Sequence, residues 1–96
     1  ENVEIINRYN GVYAVNTNGT IRYQVKIHVK GNINVGTYAS EAEAAIAYNK
    51  AVDMLKKAGV NKDYSPNYME GMSPAAYADL YNTVKISPGI LHYRCE

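Results

Sequence analysis

The sequence holds no tryptophan, no phenylalanine and a single cysteine. Cys95 alone closes no intrachain disulfide, which fits a reducing, intracellular compartment. With His28 and His92 it falls short of the four ligands a structural zinc site takes. No apolar run is long enough to cross a bilayer, so no membrane association is expected, and no secretory leader is visible. The chain opens on Glu1 rather than Met, which reads as a piece of a longer or processed protein. No Ser-His-Asp set, no carboxylate pair in a plausible cleft, no phosphate loop and no metal cluster stands out. The chain therefore reads as a non-enzyme with no cofactor.

Carboxylates are missing from one long stretch. Between Glu4 and Glu41 there is none, while Arg8, Arg22, Lys26 and Lys30 give that stretch +4. The remainder carries six bases against all nine acids, which brings the whole chain to +1. An acid-free basic block beside an acidic remainder suits a polyanionic partner. A solvated basic face with no partner is the plainer alternative.

What is present is ordinary in bulk. The 96 residues are 47% hydrophobic and 20% charged, enough for one domain with one modest core. The ten tyrosines supply every aromatic ring. Each carries a hydroxyl that wants a partner or water, so some rings belong at the edge of the core.

From Val12 the apolar period is two. Asn18-Gly19 is a two-residue hairpin signal, because both residues tolerate the positive φ of a type I′ turn. Lys30-Gly31-Asn32 reads as a second tight turn. Three antiparallel strands are expected near 11–17, 20–29 and 33–38. The period then lengthens. Ser40 and Glu43 form a capping box, residues 41–58 are helix formers, and Gly59 stops them. Ala44, Ala47, Tyr48, Ala51 and Leu55 make a face of small side chains that can lie close on a sheet. Residues 60–72 read as an irregular loop. Ser73-Pro74 starts a second helix over 74–85, and Pro88-Gly89 ends it ahead of an extended tail. The fold class is α+β: a three-stranded antiparallel sheet packed on one helix, with an additional C-terminal helix.

One helix covers one face of such a sheet. Val12, Val25, Ile27, Ile33 and Val35 take that face. The other is left to Tyr13, Val15, Arg22, Gln24, Lys26, His28, Asn32 and Asn34. Asn and Gln pair bidentately with adenine, and Arg or Lys with guanine, in a major groove wide enough for a β-ribbon. A lysine on an open strand also keeps a sheet soluble, but solubility does not require that acids be excluded. Phosphate contacts are expected from Arg8, Arg22, Lys30 and Lys50.

Three segments resemble a known family. Tyr9-Asn10-Gly11-Val12 is similar to the Tyr-Arg-Gly-Val opening of the plant Apetala-two/ethylene-response-factor DNA-binding domain. Val35-Gly36-Thr37-Tyr38 resembles its Leu-Gly-Thr-Phe. Ser40-Glu41-Ala42-Glu43-Ala44-Ala45-Ile46-Ala47-Tyr48-Asn49-Lys50-Ala51 resembles its Thr-x-Glu-Glu-Ala-Ala-x-Ala-Tyr-Asp-x-Ala helix. The resemblance covers about residues 8–66. It implies a sheet docked in the DNA major groove. By motif position the family's DNA-contacting strand residues fall on Asn10, Tyr13, Val15, Lys26, His28, Asn32 and Asn34, and its backbone-touching helix tyrosine on Tyr48. The plant domains hold mostly Arg and Trp at the strand positions. More amide and less guanidinium here points to readout richer in A·T, or to weaker binding. Residues 1–66 are thus expected to form the binding domain, with 67–96 a helical extension packing on it.

The expected function is sequence-specific binding of double-stranded DNA within a transcription regulator, nuclear in a eukaryote and cytoplasmic or nucleoid-bound in a bacterium or phage. Tandem copies or a homodimer would strengthen a small module. The alternatives are a protein-interaction or dimerisation module that kept the fold, and the DNA-targeting module of a nuclease or integrase.

Overall fold

Strand β1 spans Val12–Thr17, β2 Thr20–His28 and β3 Asn32–Tyr38. They form one antiparallel sheet in the order β1-β2-β3 in a computed structural model that describes residues 9–29 and 31–93. Asn18 (φ 52) and Gly19 (φ 83) make the first turn, and Thr17 pairs with Thr20 across it. Positive φ at both central residues is the type I′ geometry that Asn-Gly favours.

The second pairing carries a β-bulge. Gln24 faces Thr37, Val25 faces Gly36, and Lys26 faces Asn34, so β3 holds one residue more than β2 between these pairs. Strict alternation from Ile33 would turn Tyr38 outward. The extra residue instead brings Tyr38 opposite Tyr23, both packed against the core, and leaves Thr37 exposed. The bulge exposes the Val35 carbonyl to a later segment, and Ser87 donates its N–H to it at 2.9 Å.

Helix α1 spans Glu41–Lys57. The Ser40 hydroxyl accepts from the Glu43 N–H at 3.1 Å, and acids in the first turn with lysines in the last complement the macrodipole. Its Ala44, Ala47, Ala51 and Leu55 share one face and lie in one core with Val12, Val25, Ile27 and Val35, and Ala45 and Ile46 are buried in the same core. The alanines let it approach, and Ile27, Ile46, Leu55 and Ile90 are the largest fully buried side chains of the core. Each such side chain contributes about 1.5–3 kcal/mol.

The chain then differs from expectation at its end. Helix α2 runs Pro74–Thr83, two residues shorter than its spacing implies, because Val84 leaves helical φ/ψ and is buried. The expected extended tail is instead a short helix, α3, at Pro88–Leu91. Proline pre-sets φ at a first helical position, so Pro88 opens a turn of helix rather than marking an end. Val84, Ile86 and Ile90 belong to the same core as the sheet and α1.

Candidate nucleic-acid interface

The face of the sheet away from α1 is open. Its cross-strand neighbours are Val15 with Arg22, Tyr13 with Gln24, Lys26 with Asn34, and His28 with Asn32. Tyr13 (45% exposed), Val15 (38%), Arg22, Lys26, His28, Asn32 and Asn34 are all exposed, and Gln24 is half-buried. The sheet pleat brings these eight side chains together with no carboxylate among them. Thr37 joins them through the bulge, a position no two-residue period points to. His28 Nδ1 and Asn32 Oδ1 lie 3.4 Å apart. Arg8 and Lys30, expected at the margins, lie outside the described residues.

Asn10 stands just before β1 and is already engaged. Its N–H donates to Asn67 Oδ1 at 2.6 Å, and its Nδ2 to the Ser65 carbonyl at 2.8 Å. Asn67 in turn is bonded on both sides of its backbone by the buried Asn49, at 2.6 and 2.8 Å. Three asparagines thereby fix the chain after α1 against the start of the sheet. Lys50, expected on phosphate, donates instead to the carbonyls of Tyr81 (2.9 Å) and Val84 (3.0 Å) at the end of α2. Its ammonium also sits 5.5 Å from the Tyr81 ring centre. The helix C-terminus offers unpaired carbonyls that a lysine satisfies well.

Tyr48 is nearly buried, at 8% exposed. Its ring lies under Gly11, where a Cβ would come within 2.3 Å of Cδ1. It lines an open cleft of about 400 Å³ at one margin of the sheet face. Tyr13, Lys26, His28 and Asn32 form the sheet side of that cleft. Lys62, Asp63, Tyr64 and Ser65 rise from the loop as its opposite wall. The Tyr64 hydroxyl donates to the His28 carbonyl at 2.7 Å and holds this wall in place. Burial, then the Tyr64 and Tyr13 hydroxyls nearby, push the Tyr48 hydroxyl pKa up, so it stays a neutral donor.

Sequence reasoning missed Lys62, Tyr64 and Ser65. They sit in an irregular segment with no period, and only the local run of lysine, tyrosine and serine hinted at them. The tyrosine hydroxyls of the C-terminal region mostly find protein partners. Tyr81 donates to Asp53 at 2.7 Å, Tyr77 accepts from Asn49 at 3.0 Å, and Tyr68 alone stands out at 81% exposed. Among the described residues no three His, Cys, Asp or Glu side chains gather as a metal site, and no helix is long and apolar enough to cross a membrane. Compared with family models, curated proteins and solved structures, the chain finds no match.

Proposed function

We propose that this chain is a double-stranded DNA-binding module that lays the open face of its sheet in the major groove and serves a transcription regulator. The observation that carries the reading is the acid-free outer face, where Arg22, Lys26 and His28 are interleaved with Gln24, Asn32 and Asn34. Three strands at about 4.8 Å spacing make a slab about 10 Å wide, and the groove is about 12 Å wide. The resemblance to the Apetala-two/ethylene-response-factor domain supports the same docking. Amides outnumber guanidinium groups on this face, which favours adenine contacts and an A·T-richer site.

Fluorescence anisotropy with a duplex at two salt concentrations tests it. Arg22, Lys26 and Lys62, with Arg8 and Lys30, offer three to five phosphate contacts. The log–log salt slope is then about −3 to −5, at roughly 0.9 per phosphate. The double variant Lys26→Glu/His28→Glu abolishes binding and keeps the fold, since both side chains leave the exposed face. Absence of binding to any duplex at low salt removes the reading. A selection from random duplexes that returned a GC-rich site would remove the A·T preference alone. The exposed Tyr13 and Val15 on β1 favour a second reading, a protein-docking face. Self-association that persists with no affinity for DNA is its signature.

A further inference from the structure

We propose that the cleft between the sheet margin and the 62–65 loop seats one nucleotide unit, its base against tyrosine and its phosphate against lysine. The inference rests on the reading of the open face as a duplex-binding surface and deepens it: the seated unit is one displaced from a strand lying along the sheet.

Size is the first argument. About 400 Å³ is more than ten times the roughly 30 Å³ share of a water molecule, so a lone phosphate would leave most of the cleft empty. The volume falls within the roughly 300–1,000 Å³ of small-molecule sites. Composition is the second. Tyr13 and Tyr64 line it beside the nearly buried Tyr48, and accessible aromatic faces stack on any base. Lys26 enters from the sheet and Lys62 from the loop, with His28 beside them, against the single carboxylate of Asp63. Asn32 and Ser65 add groups that hydrogen-bond a base edge or a sugar. Preorganisation is the third. Both walls are tied together by the Tyr64 hydroxyl on the His28 carbonyl (2.7 Å) and by Asn10 Nδ2 on the Ser65 carbonyl (2.8 Å), so little ordering remains to be done on binding. Position is the fourth. Tyr13, Lys26, His28 and Asn32 belong at once to the cleft and to the open face. A strand on that face therefore runs past the cleft mouth. Extrusion costs least where a nucleotide is already unpaired.

The test uses two duplexes with the same flanks, one fully paired and one carrying a single unpaired thymidine, titrated by anisotropy at low salt. Thymidine monophosphate and inorganic phosphate are titrated in parallel by amide NMR. The unpaired thymidine is expected to raise affinity roughly tenfold, within the range of one base stacked on one aromatic ring. Tyr13→Leu and Lys62→Ala each remove most of that ratio, with circular dichroism confirming the fold. Thymidine monophosphate shifts residues of the cleft at concentrations where inorganic phosphate does not. Equal affinity for the two duplexes overturns the inference and leaves the groove reading standing. A preference that survives both substitutions also overturns it, because the added flexibility of the probe then explains the gain. If neither duplex binds while thymidine monophosphate shifts the cleft, the groove reading fails and the nucleotide seat stands.

Discussion

Gly11 adopts φ 77, and an added Cβ would stand 2.3 Å from the Tyr48 ring and 2.8 Å from the Lys26 carbonyl. Two costs therefore meet at one position. A left-handed L-residue costs about 1–2 kcal/mol, and overpacking costs about 1–3 kcal/mol. Gly11→Ala should lower the denaturation midpoint by an amount equivalent to at least 2 kcal/mol, with an unchanged m-value, on the same two scales. A loss under half of that would mean that the Tyr48 ring swings away freely. Asn67 is the second residue on which much depends. Its side chain accepts from the Asn10 N–H (2.6 Å) and donates to the Asn10 carbonyl (3.1 Å). Asn67→Ala leaves both backbone groups without that partner and should cost about 1–2 kcal/mol. The cleft wall should loosen with it, seen as broadened Lys62 and Tyr64 resonances in NMR spectra. Neither residue's role is legible from its neighbours in the chain, because the partners lie 37 and 57 positions away.

Among the elements, α2 is the one held from outside. It buries none of its own residues. Tyr77, Leu80 and Tyr81 pack partly buried against the core, and its polar attachment runs through the Lys50 ammonium on the Tyr81 and Val84 carbonyls, the Tyr81 hydroxyl on Asp53, and Asn49 Nδ2 on the Tyr77 hydroxyl. Hydrogen bonds to a charged donor contribute about 1.5–3 kcal/mol, so Lys50→Met should let α2 open separately. Amide exchange in α2 should accelerate by about tenfold or more while β2 and β3 keep their protection. Equal acceleration in all elements would make α2 part of the global unit. The strands and α1 were readable in the sequence because their signals are local: Asn18-Gly19, the alternation through Ile27, and Ser40 with Glu43. The outer face followed from the same alternation, and with it most of the candidate interface. The bulge at Val35 and Gly36 escaped that reading, since it depends on Ser87 meeting the Val35 carbonyl and on Tyr38 reaching Lys85 at 2.5 Å. The 62–65 wall escaped it too, because a loop fixed by Asn10, Asn49 and Asn67 carries no period of its own.

At the scale of the whole molecule, the all-tyrosine aromatic set becomes a liability in alkali. Burial, and then the Glu43 carboxylate, push the Tyr38 hydroxyl from 10.0 up to about 12. Burial does the same to Tyr48 and Tyr64, and at Tyr81 the Asp53 carboxylate adds to it. A raised phenol pKa means that the folded chain keeps its proton where the unfolded chain has lost it. Above pH 10 the unfolded state thus binds fewer protons, and stability falls as pH rises. The contribution of Tyr38 is complete below 10.0 and is lost progressively up to about 12. Phenylalanine in these places would have no hydroxyl to ionise, so the composition ties the fold to protonated tyrosine. Tyrosinate absorbance and circular dichroism followed together through this range should share one cooperative step as the fold is lost. Tyr38→Phe gives up the bond to the Lys85 carbonyl and should cost about 1 kcal/mol at neutral pH. It should also move the alkaline midpoint upward relative to the variant's own neutral stability, because one linked proton is gone. Ionisation of Tyr38 near 10.0 with the circular dichroism unchanged would show instead that its hydroxyl is free of the fold.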